Sequence, residues 1–87
     1  MPMFMVAVTK NPEAIERAIE ELKVHYYDLK PDLFVLPYEG TARELAEKLG
    51  IRGGERGSGL VVLIGGYSGR APTDFWEWLK INWPKDA

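Results

Sequence analysis

Apolar positions along this chain recur with two periods, and the switches between them mark out strands and helices. Met3-Phe4-Met5-Val6-Ala7-Val8-Thr9 is a short apolar run of strand formers, stopped by Lys10-Asn11-Pro12. Asn11 suits an N-cap, Pro12 the first helical position, and Glu13 lies favourably against a helix N-terminus. Ile15, Ala18, Ile19 and Leu22 follow at i, i+3, i+4 and i+7, one buried stripe, with Glu16, Arg17, Glu20 and Glu21 on the other face. Val24 to Leu29 and Leu33 to Tyr38 are strand-like runs joined by the turn residues Lys30-Pro31-Asp32, which predicts a hairpin. Pro37, which cannot donate to a ladder, is expected where that stretch is peripheral. Thr41-Ala42-Arg43-Glu44 has the spacing of a capping box, Ala42, Leu45, Ala46 and Leu49 form the stripe behind it, and Gly50 is placed to end the helix. A mobile glycine-rich connector is expected over 51–59.

The last third differs in kind. Leu60-Val61-Val62-Leu63-Ile64 shows no alternation, so neither face of that strand expects water. A glycine-rich turn leads to Pro72, a helix start, and to a helix with Phe75, Trp76, Trp78, Leu79 and Ile81, more than one stripe. Residues 84–87 are expected to be a frayed tail.

The order β-α-β-β-α-β-α predicts an α+β fold: one ferredoxin-like βαββαβ domain over 1–87, with an antiparallel four-stranded sheet and an additional C-terminal helix. The first and third strands are then central, the second and fourth edges. Apolar residues occupy both faces of the central strands, as in Phe4, Val6 and Val8 against Met3, Met5 and Ala7. Two amphipathic helices can cover only one face. A bare apolar edge strand is also an aggregation hazard. The third helix folding over the open face and edge, together with a second protomer, is the expected solution, with Leu60, Val62, Ile64, Phe75, Trp76 and Trp78 at the interface.

Composition narrows the chemistry. The chain has 87 residues, a net charge of −2, no cysteine and one histidine. Disulfides, thiolate zinc sites and cysteine nucleophiles are excluded, and no global positive field marks a nucleic-acid or membrane binder. The apolar start is too short to span a membrane and lacks a signal peptide's flanks, so a cytoplasmic protein is expected. His25 with Asp28 is the one acid–base candidate, although residues three apart on a strand point to opposite faces and a partly buried structural histidine is the plainer expectation. Asp28 and Asp32 flank the hairpin as candidate metal ligands, or as ordinary turn aspartates. Arg52, Arg56 and Arg70 lie in glycine-rich segments as candidate anion or nucleic-acid contacts, without a phosphate-loop motif. Phe4, Phe34 and Tyr38 could stack bases, but no basic residues interleave with them, and packing residues are the expectation.

His25-Tyr26-Tyr27-Asp28-Leu29, and Gly66-Tyr67-Ser68-Gly69-Arg70-Ala71-Pro72 running into Phe75-Trp76-Glu77-Trp78-Leu79, resemble the SinR-like family of small bacterial and phage proteins. The resemblance is sharpest in the terminal pattern G-x-x-G-x-x-P-x-x-x-W-x-W-L. It implies a ferredoxin-like homodimer related to the small subunit of CRISPR adaptation complexes and to toxin nucleases. Those nuclease relatives carry a metal-binding aspartate just after the first strand. This chain has Val8-Thr9-Lys10-Asn11 there, and neither lysine nor asparagine replaces an anionic oxygen ligand. The expected function is therefore non-catalytic binding of a protein or nucleic acid in a CRISPR, toxin or phage setting, with no cofactor. The alternatives are an endonuclease using magnesium or manganese at Asp28, Asp32 or Glu39, and a phage-encoded inhibitor of a host defence complex.

Overall fold

Strand β1 (Met3–Lys10) runs through the interior of a sheet whose two faces receive unequal cover. After it come α1 (Pro12–Glu21), β2 (Tyr27–Lys30), β3 (Leu33–Pro37), α2 (Ala42–Lys48), β4 (Ser58–Leu63) and α3 (Thr73–Asn82), in a computed structural model that describes residues 2–66 and 68–83. Tyr67 and the tail expected at 84–87 lie outside the described residues. The four strands lie in the order β2-β3-β1-β4, each antiparallel to its neighbours. This is the ferredoxin-like α+β arrangement with one helix added.

The first core forms where the sequence periods coincide. Phe4, Val6 and Val8 of β1 and Phe34 and Leu36 of β3 point to one face, where Ile15, Ala18 and Ile19 of α1 and Leu45 of α2 meet them with Leu49 and Ile51. Each is buried. Helix α2 begins with both halves of the capping box, Glu44 N–H donating to the Thr41 hydroxyl and Thr41 N–H to the Glu44 carboxylate. It ends at Gly50, whose φ of 72° falls in the left-handed region that a glycine enters without strain. Helix α1 is capped differently from expectation. Asn11 does precede Pro12, but it adopts φ 59°, ψ 59° and its side chain makes no capping bond. The segment 51–57 is not an open connector. Ile51 is buried, and Gly54 N–H and Arg56 N–H donate to the carbonyls of Ile51 and Gly50.

Pro37 is buried on the interior strand β3, not at a peripheral position. The register explains why it is tolerated. Tyr27 pairs with Val35, so the next pair to exchange hydrogen bonds, two positions on, would set His25 against Pro37, where no N–H is available. Strand β2 accordingly starts at Tyr27, and the run expected from Val24 loses its first three residues.

Candidate functional site

Among the described residues the second face of the sheet is covered by α3 and its flanking residues Ala71 and Trp83, and only in part. Phe75 and Leu79 of α3 are buried against Met3 and Val35, with Tyr27, Leu29, Ile64, Trp76, Trp78 and Trp83 packed around them. The helix sits towards β2, where the Tyr27 ring lies 5.0 Å from Phe75 and 5.7 Å from Trp78, centroid to centroid. The Tyr27 hydroxyl donates to the Asp74 carboxylate in the first turn of α3. That bond, then desolvation, raises the Tyr27 phenol above its ordinary range.

Towards the other edge this cover stops. The pairs Met5–Val62 and Ala7–Leu60 between β1 and β4, and Met5–Val35 and Ala7–Leu33 between β1 and β3, put Leu33, Met5, Ala7, Leu60 and Val62 on the α3 face. Leu60 is 63% exposed and Val62 38%, while Met5, Ala7 and Leu33 are half-buried. Together they form an apolar ledge beside α3. On the opposite face Leu63, paired with Phe4, is 58% exposed. The expectation that β4 would have cover on both sides thus meets a strand packed within its own chain chiefly through Val61, continuing to Ile64. The third helix takes part of the open face and leaves Leu60 and Val62 exposed at its edge.

The β4 edge is also chemically uniform. Between Gly57 and Gly69 the chain carries no charged residue. Natural edge strands are usually blunted by lysine, proline or a covering element. Ile64 N–H donates to the Met3 carbonyl, so by alternation Leu60 and Val62 direct their backbone groups towards β1, and Gly59, Val61 and Leu63 direct theirs outwards.

The polar candidates are dispersed. His25 is exposed ahead of β2, not partly buried in a strand. Asp28 is exposed on β2, and Asp32 lies in the turn between β2 and β3 with its carboxylate 3.6 Å from Lys30 Nζ. Among the described residues no group of three or more histidine, aspartate and glutamate side chains is gathered as for a metal ion. Arg52 Nε lies 3.7 Å from Glu47 and Arg56 Nη2 3.1 Å from Glu21, so a carboxylate accompanies each, while Arg70 is exposed on the segment before α3. Phe4 and Phe34 are sealed beneath the helices, and Tyr38 is half-buried edge-on to Phe4. Two surface concavities are shallow and polar, one at Glu47, Arg52, Gly53 and Glu55, the other at the start of α1 with Glu13 and Arg17. Among the described residues no helix is long and apolar enough to cross a membrane.

Tyr26 is tied to the first core instead. Its hydroxyl donates to Glu16 at 2.9 Å, and burial first, then this bond, pushes the phenol up to about 12. A group with a raised folded pKa contributes stability that is complete below its unfolded value and lost as pH rises through the folded one. Urea denaturation should therefore show an advantage of the native chain over Tyr26→Phe that is full below an unfolded phenol value of about 10, and that shrinks as pH approaches about 12. A difference unchanged across that range would remove the link.

The ledge was only partly visible in the sequence. Leu60 and Val62 stood out by their run, but Met5, Ala7 and Leu33 joined them only through strand register. Comparison with family models, with curated proteins and with solved structures finds no match for this chain.

Proposed function

We propose that this chain acts by docking and not by catalysis, as a small homodimeric ferredoxin-like protein that binds a macromolecular partner. The observation that carries this is an uncharged edge strand, β4, whose exposed Leu60 and Val62 form an apolar ledge with Met5, Ala7 and Leu33, while Leu63 is exposed on the other face. Exposed apolar surface gathered into one patch is the usual mark of an interaction site, while single exposed residues are not. Protein is the partner class this surface favours. Phosphate backbones are bound by unpaired lysine and arginine, and the ledge has neither. The resemblance of His25–Leu29 and of the segment from Gly66 to Leu79 to the SinR-like family supports a CRISPR-, toxin- or phage-linked setting in the cytoplasm.

Size-exclusion chromatography with light scattering tests the reading. At micromolar concentration the mass should be twice the 9.9 kDa of one chain. RNA and DNA incubated with the protein and magnesium or manganese should remain intact. Cleavage abolished by Asp28→Ala would replace docking with nuclease chemistry.

A further inference from the structure

We infer that the occupant of the β4 edge is the β4 of a second copy, paired antiparallel across a two-fold axis at Val62 so that two sheets join into one of eight strands. This rests on the docking reading above and specifies its partner and geometry. An antiparallel pair related by a two-fold axis normal to the sheet keeps both copies on the same faces, so residues opposite one another must differ by an even number of positions. With Val62 on the axis, Val62 faces Val62, Leu60 faces Ile64, and Val61 faces Leu63. Every exposed apolar side chain of β4 then has an apolar neighbour across the junction.

The neighbouring registers do worse. Centring on Val61 sets Leu63 against Gly59. Centring on Leu63 sets Val61 and Leu60 against Gly65 and Gly66. The backbone agrees with the Val62 register. Val61 and Leu63 turn their N–H and C=O groups to the open edge, and in this register those two residues exchange hydrogen bonds with one another between copies. Nothing electrostatic opposes it, because the strand and its flanks from Gly57 to Gly69 carry no charge to meet its own copy. Both ledges fall on the same face and meet along the axis, with the two α3 helices standing outside them.

The absence of native cysteine makes a direct test available. Val62 on the axis is a non-hydrogen-bonded pair with Cα atoms about 4.5 Å apart, within disulfide reach. Leu60 and its own copy are separated by four residues of strand, roughly 14 Å, which is beyond it. Single variants Val62→Cys and Leu60→Cys are oxidised in air with a copper catalyst and run on a non-reducing gel. The expected result is a shift of Val62→Cys to twice the chain mass, while Leu60→Cys stays monomeric although its side chain is the more exposed. Equal or stronger cross-linking of Leu60→Cys overturns the register. A dimer by light scattering with neither variant cross-linked overturns edge pairing but leaves the docking reading standing. A monomer by light scattering removes both.

Discussion

Truncating Phe34 to alanine is expected to lower the stability of this chain by about 3–5 kcal/mol, the range for removing a buried aromatic from a core. Phe34 has no exposed surface, lies on interior strand β3 opposite Val6, and meets the Tyr26 ring edge-on at 6.1 Å. The site cannot collapse easily, because the sheet fixes it from below and α1 and α2 close it from above. A domain of this length has on the order of 4–13 kcal/mol in total, so the loss is a large share of it. Thermal unfolding followed by circular dichroism should show a midpoint lower by on the order of 20 °C. A loss below about 1 kcal/mol would mean that the first core is not organised around this ring.

The second large effect concerns association. The double variant Leu60→Lys, Val62→Lys is expected to remain folded and become monomeric. Both side chains lie outside the chain's own cores, so folding loses little. In the dimer, the Val62 site meets its own copy, and a lysine there brings like charges together in a dry junction. Such a juxtaposition costs several kcal/mol, and roughly 3 kcal/mol already weakens association about a hundredfold. Light scattering at a fixed concentration should show the mass halve while the circular dichroism spectrum is unchanged. Ile81→Lys is the control, because Ile81 is 81% exposed on α3 and takes no part in the junction. If Ile81→Lys alone dissociates the dimer, the interface runs along α3 and not β4.

Much of the fold was legible because local signals agreed with one another. The stripes Ile15–Leu22 and Ala42–Leu49, the capping box at Thr41 and the glycine at position 50 all reported the same layer of helices over one face. Where the sequence misled, a non-local contact decided the outcome. Tyr26 belongs to a strand-like run, yet pairing stops before it because Pro37, eleven residues on, has no N–H to offer. The unbroken run Leu60–Ile64 correctly marked a strand that wants apolar neighbours, but composition could not tell which of its residues the chain itself would cover. That depends on where α3 lands. The helix settles towards β2, where Tyr27 supplies both a ring for Phe75 and Trp78 and a hydroxyl for Asp74. The arginines show the same limit. Arg52 and Arg56 were the chain's local concentration of positive charge in sequence, and Glu47 and Glu21 come to them only through the fold.

Hydrogen exchange at the β4 amides tests most directly whether a second copy lies along this strand. Leu60 and Val62 face β1 and should be protected at any concentration; Val61 and Leu63 face the open edge, where no described strand pairs with them. The expected result is strong protection of the Val61 and Leu63 amides in concentrated solution, lost on dilution, while Leu60 and Val62 hold theirs. Free exchange of Val61 and Leu63 at every concentration would mean that the edge stands bare in water.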